Sequence, residues 1–164
     1  MAELILDSGC GTGLSSRRLA ERHPDRVVIG VDRSEARLSR AESIPDNCFL
    51  VRAELAGLWQ LIARSSLRVT EHHVYYPNPY PKARHLQRRW YGHPVFPVVM
   101  GLAPQTQVRA NWLLYLEEWR VAAGALGFSS ELNVLEPSSE PMTLFERKYW
   151  ATGTPTWSLW LDKK

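Results

Sequence analysis

Leu4-Ile5-Leu6-Asp7-Ser8-Gly9-Cys10-Gly11-Thr12-Gly13 is the stretch on which the reading of this chain turns. Three apolar residues end on an acid, and glycine then recurs at every second position. Residues 4–6 have the length and apolarity of a buried strand. Glycine allows a tight turn and lets backbone approach a ligand that a side chain would hold off. Residues 14–22, Leu-Ser-Ser-Arg-Arg-Leu-Ala-Glu-Arg, carry an amphipathic helical pattern, and Pro24 follows its end. The stretch is therefore a strand, a glycine turn and a helix whose first amides are free to meet a ligand.

Working outward, the same alternation repeats. Val27-Val28-Ile29-Gly30-Val31 is a second buried strand ending at Asp32, and Ser34 is an N-cap for a helix to about Glu42. Phe49-Leu50-Val51 is a third strand ending near Glu54, residues 55–63 a helix, and Val74-Tyr75-Tyr76 a fourth strand. Short apolar strands alternating with helices imply an α/β fold on a parallel sheet. Beyond residue 77 the prolines break the pattern. Residues 96–102 read as helical, Gln107-Val108-Arg109-Ala110 as a strand and residues 112–126 as a helix, with a final hairpin at 133–137 and 156–161. No repeat, low-complexity segment or linker interrupts the chain, so residues 1–164 read as a single domain. The first strand begins almost at Met1, where a catalytic domain of this kind carries a preceding segment, so a short form or a truncated chain is expected.

The glycine loop points to a cofactor. A dinucleotide loop has the wider spacing G-x-G-x-x-G and meets pyrophosphate. Here Gly9, Gly11 and Gly13 are more tightly spaced, and Asp7 precedes them. An acid there suits a cationic ligand. S-adenosylmethionine has an ammonium and a sulfonium and no phosphate, and the glycine spacing disfavours a nicotinamide oxidoreductase. Asp32, about 20 residues past the loop at the end of the second strand, is placed to accept from both ribose hydroxyls. Glu54 has two readings, a group facing the adenine or a helix-start acid meeting the dipole. A purely structural turn is the alternative for the loop itself.

Composition narrows the partners. The net charge is +3 among 164 residues, a weak signal alone. Its distribution says more: Lys82-Ala83-Arg84-His85-Leu86-Gln87-Arg88-Arg89 carries four positive charges and no acid. Two cysteines, Cys10 and Cys48, are too few for a disulfide framework or a zinc site and read as small buried residues of a reducing compartment. His72-His73 are neighbours that point apart on a strand, so no metal site is expected. No apolar run approaches a membrane span and no signal peptide opens the chain, which makes the cytoplasm the expected location. The seven tryptophans are read mainly as core, with Trp112, Trp150 and Trp157 left open because they adjoin the motifs.

Tyr75-Tyr76-Pro77-Asn78-Pro79-Tyr80-Pro81-Lys82-Ala83-Arg84-His85-Leu86-Gln87-Arg88-Arg89 follows the fourth strand, at the sheet edge where ligands bind. Three prolines stiffen it, which suits a group held against a reacting atom. Arg84, Arg88 and Arg89 are candidates for phosphate, and a solvated surface loop is the plain alternative.

This stretch resembles the bacterial tRNA (guanine-N7)-methyltransferase family, whose pattern is roughly F-F-P-D-P-W-P-K-K-R-H-x-K-R-R. Ala110-Asn111-Trp112-Leu113-Leu114-Tyr115 is similar to its T-D-W-x-x-Y, and Thr143-Leu144-Phe145-Glu146-Arg147 to its T-K-F-E-x-R. The resemblance runs from residue 3 nearly to the end. It implies a Rossmann-like class I methyltransferase fold, α/β with a seven-stranded mixed sheet flanked by helices. It implies S-adenosylmethionine as cofactor, on Asp7, Asp32, Glu54 and Asn78, and tRNA as partner. Asn78 falls at the cofactor–substrate junction, the catalytic position. Lys82, Asn111, Thr143, Leu144, Phe145 and Glu146 fall on substrate-contacting positions.

Two departures stand out. Asn78 and Asn111 replace family aspartates, and Glu54 replaces another while keeping its charge. Each amide keeps the shape, loses the negative charge and gains a donor. Carboxylates accept guanine N–H groups well and offset the positive charge of an N7-methylated base. Glu146 is then the remaining carboxylate expected at the guanine. The alternatives are a tRNA-binding protein of this fold that has lost methyl transfer, and a methyltransferase for another acceptor.

Overall fold

In the computed structural model, which describes residues 3–164, seven strands form one sheet. They are β1 (Leu4–Ser8), β2 (Val27–Asp32), β3 (Cys48–Arg52), β4 (Val69–Tyr75), β5 (Gln105–Ala110), β6 (Phe128–Val134) and β7 (Trp157–Lys163). The order is β3-β2-β1-β4-β5-β7-β6. The first five are parallel, and β7 runs antiparallel to both of its neighbours. The chain steps outward from β1 to β3, then returns to the other side of β1 for β4. The strand order reverses there, and such a switch point opens a crevice at the carboxyl ends of the strands.

The helices are α1 (Leu14–Arg22), α2 (Glu35–Leu38), α3 (Leu55–Ala63), α4 (Phe96–Gly101), α5 (Leu113–Ala125) and α6 (Leu144–Ala151). Helices α3, α4 and α5 bury one sheet face through Trp59, Ile62, Phe96, Val99, Met100, Leu116 and Trp119, packed on Leu6, Val74, Val108 and Leu159. On the other face α1 buries Leu19 and Ala20 against Ile5, Val28 and Cys48. Helix α1 packs on β1, β2 and β3. Beyond it this face is polar: Glu71, His73, Gln107 and Ser158 line an open cavity of about 330 Å³.

Several boundaries differ from the sequence reading. Ser34 does cap α2, accepting from Arg37 N at 3.2 Å, but the helix ends at Leu38 rather than near Glu42. No residue of α2 is buried, and a short helix without a packed face does not propagate. Strand β4 starts at Val69, because Glu71, His72 and His73 belong to the ladder despite their polarity. His72 faces Trp59 and Ser8, while His73 faces Tyr75 and Gln107. The last two strands pair as expected, yet α6 lies between them in sequence, so they are not a tight hairpin.

Candidate active site

The loop after β1 lies at the carboxyl end of that strand, where the strand order reverses. Gly9, Gly11 and Gly13 all have positive φ (77°, 58° and 84°), a conformation that favours glycine. A Cβ on Gly9 or Gly11 would meet nothing within 4 Å, so this backbone borders open space. Gly9 N and Cys10 N donate to Val31 O at 2.7 and 2.9 Å, which ties the loop to β2. Beneath it Asp7 is buried, its Oδ2 accepting from Ser15 and Ser16 hydroxyls at 2.6 and 2.7 Å. Its Oδ1 is buried without a partner. Burial pushes the Asp7 carboxyl above its usual range, and the two serine hydrogen bonds only partly oppose this.

Asp32 ends β2 and faces the same loop. Its Oδ2 accepts from Gly11 N at 2.9 Å and its Oδ1 from Ser34 N at 2.9 Å. Arg37 adds two contacts to Oδ1, at 3.1 Å from Nε and 2.8 Å from Nη2. Glu54 ends the next crossover as the N-cap of α3, with Oε1 accepting from Ala56 N at 2.9 Å and Oε2 from Gly57 N at 2.8 Å. Of its two readings, the helix-start role is the one these contacts display.

The proline-rich turn leaves β4 at the adjoining edge. Tyr76 and Tyr80, each preceding a proline, have positive φ of 51° and 42°. Bulky residues rarely adopt this region, and the strain of about 1–3 kcal/mol each must be held by surrounding contacts. Tyr76 N donates to Arg109 O at 2.7 Å, and its hydroxyl donates to Glu146. Asn78 is exposed, and its Oδ1 accepts from Tyr80 N at 3.1 Å, fixing the turn. Lys82, Arg84 and Arg88 are exposed.

Arg89 corrects the expectation of a phosphate contact. It is buried, with Nε donating to Tyr80 O at 3.0 Å and Nη2 to Pro81 O at 3.3 Å. Its Nη1 reaches the Tyr91 hydroxyl and Glu118, both at 3.2 Å, and the guanidinium lies over the Trp112 ring. The group clamps the proline turn through these contacts, and it is buried where Arg84 and Arg88 are exposed.

Glu146 is the second correction. It is fully buried, accepting from Arg109 Nη1 at 2.9 and 3.1 Å, from Met142 N at 2.9 Å and from the Tyr76 hydroxyl. These four hydrogen bonds fill the acceptor sites of the carboxylate in the free chain. Thr143 caps α6 by accepting from Glu146 N at 3.0 Å. Leu144 and Phe145, by contrast, are exposed at 49% and 58%. Phe145 and Tyr149 lie near-parallel, with ring centroids 6.5 Å apart, and both approach Tyr76. Asn111 is exposed at the end of β5, just before Trp112 opens α5.

Known proteins support this architecture. The protein family described as "Methyltransferase domain" matches residues 5–68. The chain aligns over 98% of its length with the antibiotic-resistance methyltransferase Kmr (TM-score 0.65, 20% identity, 86% of that chain). It aligns over 99% with the 16S rRNA methyltransferase KamB (TM-score 0.68, 18% identity, 88% of that chain). The fold is that of a class I methyltransferase. Among curated proteins, the tRNA (guanine-N(7)-)-methyltransferase of Paraburkholderia xenovorans is 27% identical over 99% of this chain and 66% of its own length. That of Yersinia enterocolitica is 29% identical over 99% of this chain and 73% of its own. That of Mycobacterium avium is 37% identical over 54% of this chain and 36% of its own. The chain thus spans about two thirds of the length of most of these curated relatives.

A class I methyltransferase fold implies S-adenosylmethionine, and a solved methyltransferase of this shape from Catenulisporales acidiphilia holds it as cosubstrate. The residues here fit that group. The loop leaves backbone open at Gly9 and Gly11, Asp7 keeps an unpartnered buried oxygen, and Asp32 stands at the end of β2. Among the described residues, no group of three or more His, Cys, Asp or Glu is placed to hold a metal ion. No helix is long and apolar enough to cross a membrane.

Three contributors escaped the sequence reading. Arg109 was legible only as a strand residue, although it anchors Glu146 and packs on Tyr75. Tyr149 lies on a helix that the sequence did not announce. Arg37 had one available signal, its place five residues after a strand-ending acid.

Proposed function

We propose that this chain transfers a methyl group from S-adenosylmethionine to N7 of a guanine in tRNA, as a single domain. One observation carries the reading. The open glycine loop with Asp32 and the strained turn bearing Asn78 stand at the carboxyl edges of β1, β2 and β4, on the two sides of one switch point. The names of the curated relatives support tRNA guanine as the acceptor.

The cofactor supplies an electrophilic methyl on its sulfonium. Guanine N7 has a free lone pair and carries no proton, so no strong general base is needed, and the protein acts by alignment and electrostatics. Asp7 and Asp32 favour the cationic cofactor and its ribose, with Glu54 nearby at the end of β3. Asn78 holds the junction between the two ligands. Phe145 offers a stacking face for a base, worth about 1–3 kcal/mol. Lys82, Asn111, Thr143 and Leu144 border the acceptor, and Arg84 and Arg88 meet tRNA phosphate. On this reading the chain works in the cytoplasm.

The test is incubation with labelled S-adenosylmethionine and unmodified tRNA, followed by nucleoside analysis, for wild type, Asn78→Asp and Asn111→Asp. The expected product is 7-methylguanosine. Each aspartate should raise the rate by about tenfold to a hundredfold, equivalent to about 1–3 kcal/mol in the transition state. A different methylated nucleoside would overturn the acceptor. A second reading, a tRNA-binding protein without transfer, is favoured by the sequestration of Glu146. It predicts cofactor binding and no labelled nucleoside from any of the three proteins.

A further inference from the structure

We propose that Arg37 competes with the cofactor ribose for Asp32, and so sets cofactor affinity and its response to salt. The inference rests on the reading of the crevice as an S-adenosylmethionine site.

An ionised carboxylate has about four lone-pair sites. Asp32 already takes four donors: Gly11 N on Oδ2, and Ser34 N, Arg37 Nε and Arg37 Nη2 on Oδ1. The two backbone donors belong to the loop and to the start of α2 and cannot leave without unmaking them. The two guanidinium donors can leave. The Asp32 side chain is only 6% exposed, whereas that of Arg37 is 51% exposed. Arg37 sits on the shortest helix, which buries none of its residues. A ribose diol that donates to Asp32 therefore needs the guanidinium to move aside.

Other nearby charges do not substitute for it. Glu35 is engaged by Arg52 at 3.1 Å, and the Arg33 side chain has no hydrogen bond to Asp32. Arg37 is thus a positioning residue in the free protein, holding the Asp32 carboxylate aimed, and a competitor during binding. An ion pair with one half-exposed partner is screened by salt, so the competition should fade as ionic strength rises.

The experiment is calorimetric titration of S-adenosylhomocysteine into wild type, Arg37→Ala and Arg37→Lys at low and high salt, with melting curves for each free and saturated protein. Arg37→Ala is expected to bind about threefold to tenfold more tightly than wild type and to gain more in Tm on saturation. Arg37→Lys should fall between, because an ammonium lacks the fork that reaches Oδ1 twice. Wild-type affinity should rise with salt toward that of Arg37→Ala. Equal or weaker binding by Arg37→Ala, with wild type binding normally, would overturn the competition and leave the cofactor site standing. Absence of binding in all three proteins would overturn the cofactor reading itself, and the competition with it.

Discussion

Arg109 and Glu146 form a buried ion pair, with Nη1 2.9 and 3.1 Å from the two carboxylate oxygens, and the Tyr76 hydroxyl donates to the same carboxylate. The pair links β5 to α6 and holds the strained residue at the end of β4. Removing one partner of such a pair leaves the other charge buried without compensation. Glu146→Ala should therefore lower the unfolding free energy by about 3–5 kcal/mol, read by chemical denaturation. Glu146→Gln keeps the shape and one acceptor oxygen and should cost less. If Glu146→Gln abolished methyl transfer with its stability intact, the carboxylate would be a guanine acceptor after all.

Neighbouring arginines should behave differently. Arg88 is exposed and Arg89 is buried under the proline turn. Arg84→Ala with Arg88→Ala should weaken tRNA binding and flatten its salt dependence by up to about two units of slope, leaving Tm unchanged. Arg89→Ala should lower stability by about 3 kcal/mol through the loss of its clamp. A salt slope that changes with Arg89→Ala while Tm does not would restore Arg89 to the phosphate surface.

On the proposed reading Asp7 exchanges stability for cofactor affinity. Burial raises its carboxyl in the folded state, so its charged form costs stability that is lost as pH rises through the folded value. Asp7→Asn can still accept from Ser15 and Ser16. At neutral pH it should melt about 2–4 °C higher than wild type. Its affinity for S-adenosylhomocysteine should fall at least about tenfold, because a charged acceptor is lost. Melting scans and titration of the same preparation check both halves, and a lower Tm would contradict the cost assigned to the buried charge.

His72 gives a pH dependence of opposite sign. Trp59 Nε1 donates to Ser8 Oγ at 2.9 Å, and the same hydroxyl is hydrogen-bonded to His72 Nε2 at 2.7 Å. Burial holds His72 down at about 3, with the neighbouring His73 adding to the effect. A depressed group contributes stability above its unfolded value, near 6.5, that is lost as pH falls toward 3. The unfolding free energy should drop by up to about 1.4 kcal/mol per pH unit below 6.5. Glu71, held down at about 2 by its His73 hydrogen bond, adds a further loss only below its ordinary value of 4.5. His72→Gln should flatten the profile between 6.5 and 4.5. An unchanged profile would mean that another group takes up the proton.

The sequence showed the first three strands clearly because each carries a short apolar run, and the runs of β1 and β2 end on an acid. Residues 14–22 and 55–63 match α1 and α3 in both bounds. The polar half of β4 was hidden. Its Glu71 and His73 are satisfied by Arg26, Gln107 and Tyr75, partners that only the sheet assembles. At the site, Asp7, Asp32 and the glycines could be read locally, since their signal lies in spacing after a strand. Arg89 and Glu146 could not, because charge in a sequence does not tell a solvated cation from a clamped one. The most distant of their partners are 29 and 70 residues away, Glu118 for Arg89 and Tyr76 for Glu146.

If the loop after β1 and the end of β2 form the cofactor site, hydrogen exchange locates it most directly. Mass spectrometry with and without S-adenosylhomocysteine should show slowed exchange in peptides covering residues 9–13 and 32–34, with a smaller effect at residues 76–80. Thr12 and Ser34 should be among the protected amides. Protection confined to another region, such as the polar cavity between β4 and β7, or no protection at saturating ligand, would contradict the account.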